Sequence, residues 1–196
     1  MPRHIFRSEF PQPVLSTFKD VSEVITFEML DAKLGSHAPF LVSLSDGLQE
    51  ELRITIAGAA AGEPGSNIPD FEGMDVTTKL TLSEILSKTC PIEVNKDCLY
   101  EICFHDYIIY QVRNESFSSY DTEAVSCGRY LITFEKSEFL SYLHTVTDAC
   151  RFDDGSYYPG RWAHYGIYTQ NHIIDVIAHG EPDISEVRKD GISAFN

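Results

Sequence analysis

The chain has 196 residues, 43% of them hydrophobic and 23% charged, which is the composition of a folded domain with a real core and not of a disordered segment. Thirty acids against fifteen bases give a formal net charge of −15; a surface of that sign repels nucleic-acid phosphate and anionic lipid and attracts a basic partner. No stretch approaches the ~18 consecutive apolar residues of a membrane span.

Residues 1–19 read as irregular, with Pro2, Pro11 and Pro13. Asp20 and Glu23 have the spacing of a capping box, and Val21, Val24, Ile25 and Met29 then share a helix face that Gly35 would end. The run 24–30 also suits a strand. Residues 39–44 and 52–58 read as strands around Ser45-Asp46-Gly47, the second because Leu52, Ile54 and Ile56 alternate with Arg53 and Thr55. Residues 58–73 form a Gly/Pro-rich loop. It lacks phosphate-loop spacing, and no Lys-Ser or Lys-Thr follows. Thr81-Leu82-Ser83-Glu84 is a second capping box and predicts a short helix to about Lys88. Residues 99–104 and 107–113 read as a hairpin turning at His105-Asp106, with Ile102 opposite Ile109 and Phe104 opposite Tyr107. Both turn residues tolerate left-handed backbone. Residues 129–134 predict a strand. Ser137 then caps a helix to about Thr147 that aligns Phe139, Leu140, Leu143 and Val146.

The C-terminal hairpin, residues 162–178, is the most specific element. A two-residue turn at Gln170-Asn171 pairs Tyr168 with Ile173, Gly166 with Asp175 and His164 with Ile177. One face then carries Tyr165, Ile167, Ile174 and Val176 as core. The other places Asp175 among apolar neighbours with His164 on the diagonal. A His164–Asp175 pair could serve acid/base chemistry in a small hydrolase or transferase. It reads more simply as a carboxylate satisfied by a histidine, because no third partner is evident along the sequence. The whole chain, residues 1–196, is expected to form one α+β domain of antiparallel hairpins and two or three helices, ending in a polar tail from about residue 184.

Recognisable chemistry is sparse. There is no Gly-x-Ser-x-Gly elbow, no dinucleotide fingerprint and no paired Cys/His spacing for zinc. His172 and Asp175 fall on opposite faces of a strand, so one metal could not take both with His179. The expectation is therefore no catalytic residue, metal or cofactor. Cys90, Cys98, Cys103, Cys127 and Cys150 are odd in number and irregularly spaced, and no apolar leader precedes them; this predicts free thiols in a reducing cytoplasm. The loop 150–162 gathers Asp153, Asp154, Tyr157, Tyr158 and Trp162, a mixture of acids and aromatics suited to binding a basic protein.

Residues 107–184 resemble small bacterial proteins encoded near polymorphic or contact-dependent toxins. The resemblance lies in Tyr110-Gln111-Val112-Arg113-Asn114-Glu115-Ser116, in Ser137-Glu138-Phe139-Leu140, and in His164-Tyr165 followed by Asn171-His172-Ile173-Ile174-Asp175-Val176-Ile177. It implies an immunity protein that neutralises a basic toxin domain by occluding its active site. A non-catalytic regulatory binding module is the alternative outside that group. Thiol titration of the denatured, unreduced chain is expected to find nearly all five cysteines reactive. Two stable intramolecular disulfides would contradict the reducing compartment.

Overall fold

Backbone pairing gathers most of the described strands into two antiparallel sheets. The computed structural model describes residues 24–187 except Asn67. One sheet has four strands in the order β1 (Phe40–Asp46), β2 (Leu52–Ala61), β3 (Ile92–Phe104) and β11 (Asp183–Glu186). The other has five: β4 (Tyr107–Asn114), β10 (His172–Ala178), β9 (Ala163–Tyr168), β6 (Leu131–Lys136) and β5 (Val125–Cys127). A small ribbon joins β7 (Cys150–Arg151) to β8 (Tyr157–Tyr158). Three helices, α1 (Phe27–Lys33), α2 (Val76–Leu86) and α3 (Glu138–Val146), complete a mixed α+β fold. None of them is long and apolar enough to cross a membrane.

The two sheets share one core. Leu52, Ile54 and Ile56 of β2 and Ile102 and Phe104 of β3 meet Tyr165 and Ile167 of β9 and Ile174 and Val176 of β10. Each fully buried Leu or Ile contributes about 1.5–3 kcal/mol of transfer free energy. Helix α1 adds Phe27, Leu30 and Leu34 to the same core, and the Phe27 ring meets Tyr165 edge-on at 5.3 Å. Helix α3 belongs to a second cluster, in which Phe139 and Leu143 pack with Ile177 of β10, Ala149 and the half-buried Trp162.

The C-terminal hairpin has the register read from its sequence: Tyr168 opposite Ile173, Gly166 opposite Asp175, His164 opposite Ile177. Its tip is tied to the other sheet. The Asn171 side chain accepts from the Leu41 N–H at 3.0 Å and donates to the Leu41 carbonyl at 3.3 Å. Ser137 caps α3 as its position predicts, accepting from Leu140 N–H at 3.0 Å.

Five expectations need correction. Residues 58–61, expected to open the Gly/Pro-rich loop, continue β2 because they pair with residues 92–95 of β3. Strands β3 and β4 do not pair, so Ile102 is not opposite Ile109 and Phe104 is not opposite Tyr107. β3 lies between β2 and β11, and β4 pairs with β10. The His105-Asp106 turn is a corner between sheets, with Asp106 at φ 53°. Helix α2 starts at Val76, five residues before the predicted box, because Asp75 caps it through Thr78 N–H at 3.0 Å. The strand expected at 129–134 runs from Leu131 to Lys136. The start of the expected polar tail is strand β11, which closes the edge of the four-stranded sheet. The capping box at Asp20 and Glu23 lies outside the described residues; the described α1 is capped by Thr26.

Helix α1 also organises the entry to β6. The Asp31 carboxylate accepts the backbone N–H groups of Arg129, Tyr130 and Leu131 at 2.9, 2.8 and 2.9 Å. Asp31→Ala is expected to lower stability by about 1–3 kcal/mol, since it orphans two partly buried donors, the Tyr130 and Leu131 N–H groups. Asp31→Asn, which retains one acceptor oxygen, should lose less. Urea midpoints of the two variants would check this order.

Candidate functional site

The hairpin alternation that sends Tyr165 and Val176 into the main core sends His164 and Asp175 to the opposite face of the five-stranded sheet. Helix α3 covers part of that face, and its N-cap brings in a third residue. Ser137 Oγ lies 2.9 Å from His164 Nδ1, and His164 Nε2 lies 3.1 Å from Asp175 Oδ1. All three are buried, with relative exposures of 6%, 1% and 2%. With Nε2–H donating to Asp175, Nδ1 can accept the Ser137 hydroxyl hydrogen.

Strand β4 completes the arrangement. Gln111 Nε2 and Arg113 Nη2 each donate to Asp175 Oδ2 at 2.9 Å. The carboxylate therefore has partners on both oxygens, which a buried charge requires. Phe134 of β6 stacks on the His164 ring at 4.3 Å with 13° between planes, and Phe139 of α3 lies at 5.3 Å. Gly166 makes room for that stack: a Cβ there would sit 2.8 Å from a Phe134 ring carbon. The group borders a cleft of about 280 Å³ whose other walls include Ser119, Asp121, Tyr142 and Tyr168.

Burial by itself would push the Asp175 carboxyl up. The hydrogen bonds from His164 and Gln111, with the Arg113 guanidinium nearby, outweigh that and hold it below the ordinary carboxylate value. Asp175 is thus a fixed acceptor that orients His164. Of the sequence candidates, His164 and Asp175 are brought together. Ser137, Gln111 and Arg113 were missed, because they come from 27, 64 and 62 residues away from their partners. Ser137 carried the signal of a helix cap, and that signal says nothing about which histidine lies beneath the cap.

The loop candidates lie elsewhere. Asp153 and Asp154 sit at the exposed tip of the β7–β8 ribbon, where Asp154 accepts from Ser156 N–H at 2.9 Å and from its hydroxyl at 2.6 Å. Tyr158 and the neighbouring Phe152 are half exposed, at 54% and 51%. Tyr157 stands edge-on to Trp162 at 5.2 Å, and Trp162 packs on the α3 cluster. Trp162 and Tyr157 therefore anchor the ribbon, while Phe152, Asp153, Asp154 and Tyr158 face outward.

A second exposed surface had no counterpart in the sequence reading. β1 follows β2 only to Ala57 and β11 follows β3 only over Tyr100–Cys103, so residues 58–61 and 92–95 continue as a two-stranded arm. The connection between them carries α2. This helix buries no residue and exposes Val76, Leu80 and Ile85, with Met74, Ile92 and Val94 also in solvent.

The folded carboxyl of Asp175 lies below its unfolded value of about 3.9. Its stabilising contribution is therefore present above that pH and is lost as pH falls through the folded value. Asp175→Ala should cost about 3–5 kcal/mol at pH 7, the usual result of breaking a buried pair. Asp175→Asn should flatten the loss of stability below about pH 4. Denaturation midpoints between pH 7 and pH 2.5 for wild type and Asp175→Asn would test the sign; parallel curves would contradict it.

No family model, no curated protein and no solved structure matches the chain.

Proposed function

We propose that this chain is an immunity-type binding protein that captures a basic protein, a toxin domain, and occludes its active site. The observation that carries the reading is the arm. An eleven-residue helix is marginal by itself in water, yet α2 buries no residue and presents Val76, Leu80 and Ile85 to solvent. Exposed apolar surface of this kind, set among polar residues, marks a protein contact. Its surroundings supply the sign of the partner: Glu63, Asp70, Glu72, Asp75, Glu84 and Glu93 are all exposed around it. The ribbon tip, with Phe152, Asp153, Asp154 and Tyr158, again sets acids beside exposed apolar side chains. A net charge of −15 steers a cationic partner toward both surfaces. Many toxin domains act on anionic substrates through cationic clefts, and an acidic surface is a natural occluder of such a cleft.

One observation favours a second reading, a small serine hydrolase. Ser137, His164 and Asp175 form a continuous hydrogen-bonded series beside a cleft. Such a series can activate a hydroxyl for attack on an acyl carbon. Three features weigh against it. The serine is on Nδ1 and the carboxylate on Nε2, the reverse of the usual protease order. Ser137 Oγ is also engaged as the cap of α3. Two phenylalanine rings flank the imidazole.

The capture reading is tested in cells that produce the protein. Proteins recovered with wild type should be absent from recoveries with the double variant Leu80→Asp/Ile85→Asp, and binding of the purified partner should weaken about 30-fold or more, as for an interface hot spot. Asp153→Lys/Asp154→Lys should mainly slow association, and more so at low salt, where the Debye length reaches about 30 Å. Unchanged binding in both variants would sink the proposal. A serine-directed fluorophosphonate addresses the other reading: labelling at Ser137 that is lost in His164→Ala would establish the hydrolase.

A further inference from the structure

The corner between the sheets gathers a second set of polar side chains, remote in sequence from the Ser137–His164–Asp175 series. Ile102 and Phe104 of β3 point into the main core, so Cys103 points to the opposite face. There it lies between Arg53 of β2 and Asp183 of β11 in the pairing register. Glu51, just before β2, and His105, just after β3, reach the same place. One donor atom each from Glu51, Cys103 and His105 lie within 4.8 Å of one another.

We propose that Glu51, Cys103 and His105 form a binding site for a thiophilic divalent cation, with zinc the best fit. The donor set of one sulfur, one imidazole nitrogen and one carboxylate oxygen is that of zinc, which takes such ligands at about 2.0–2.3 Å. Closing on an ion requires movements of about 1 Å, available to the exposed His105 and half-exposed Glu51 side chains.

The orientation of His105 is the second argument. Its Nε2 lies 3.0 Å from Asp183 Oδ2 and its Nδ1 lies 3.5 Å from Glu51 Oε1. If Nε2–H donates to Asp183, the Nδ1 lone pair faces a carboxylate oxygen. Two acceptors placed face to face leave a position that a proton, a water molecule or a metal ion can fill. A carboxylate on the far nitrogen of a ligating histidine is the usual arrangement that fixes the ring and raises its basicity. Charge also favours the ion. Glu51, Glu101 and Asp183 surround the position, while Arg53, the cation beside them among the described residues, is spread over Glu51 Oε2 at 2.9 Å and Glu101 Oε1 at 2.8 Å. Glu51 Oε1 is left to turn toward the sulfur and imidazole. A bound ion would tie the start of β2 to the end of β3, and through His105 and Asp183 to β11. Binding releases the Cys103 thiol proton to solvent as the thiolate–metal bond forms, with no change of oxidation state.

The test uses the full chain carrying Cys90→Ser and Cys127→Ser, so that the two exposed thiols contribute nothing. Equilibrium dialysis against zinc should return one bound equivalent. Cobalt(II) in its place should show a thiolate-to-cobalt absorption band. Cys103→Ser should abolish the band. Glu51→Gln and His105→Asn, at positions outside the core, should each weaken zinc binding at least ~10-fold. Asp183→Asn should weaken it ~10–100-fold while retaining the band, as expected of a residue that positions a ligand. Absence of stoichiometric zinc, or binding unchanged in both Glu51→Gln and His105→Asn, overturns the site and leaves His105 as a polar bridge between Glu51 and Asp183.

Discussion

The Asp175 carboxylate is the constraint on which this architecture turns. A charge with 2% exposure in the middle of a strand is costly unless every lone pair finds a donor. Three donors come from the two sides: His164 across the hairpin, and Gln111 and Arg113 from β4. A one-residue slip of either neighbouring strand would turn those donors to the wrong face and leave the charge unpaired. The carboxylate thus selects the β4–β10–β9 register more sharply than apolar alternation does, since many Ile and Val pairings are nearly equivalent in energy. Through His164 the constraint passes to Ser137 and so to the start of α3. Through the Phe134 stack and the missing side chain of Gly166 it passes to β6.

That network leaves its members little freedom to do anything else. His164 has both nitrogens engaged and a phenylalanine on its ring. Surface elements are built differently. The arm carrying α2 extends past the strands that flank its base, and the β7–β8 ribbon is held mainly by Trp162 and Tyr157. The centre is thus hydrogen-bonded and buried, while the projecting elements carry exposed apolar and acidic groups, and the proposed capture of a partner would use the latter.

The corner at His105-Asp106 explains why two sheets form in place of one. After β3 the chain changes direction at a residue with positive φ, and β4 leaves to pair with β10. Both sides of β3 are already used, by β2 and β11. The same corner brings the end of β3 beside the start of β2 and the start of β11, which is how Glu51, Cys103, His105 and Asp183 come to share one patch.

Elements whose physics is local were legible in the amino-acid sequence. The Gln170-Asn171 turn sets the hairpin register, because two residues and a strand period of two leave one pairing for the flanking chains. Ser137 heads α3, since an N-cap needs only its own hydroxyl and the N–H three residues on. The acidic charge and the likeness of the core faces to an α+β protein also follow from the residues alone. Strand partnership did not. Alternation tells which face of a strand is buried and not which strand lies beside it, so β3 and β4 read as a hairpin although they belong to different sheets. The short helix α2 was misplaced for a related reason: Asp75 and Thr81 are both competent caps, and context chose the first. Only the folded chain could join Ser137, Gln111 and Arg113 to the His164–Asp175 pair, or Glu51 to Cys103 and His105. Those contacts span tens of residues, and their energy exists only once the sheets have closed around them.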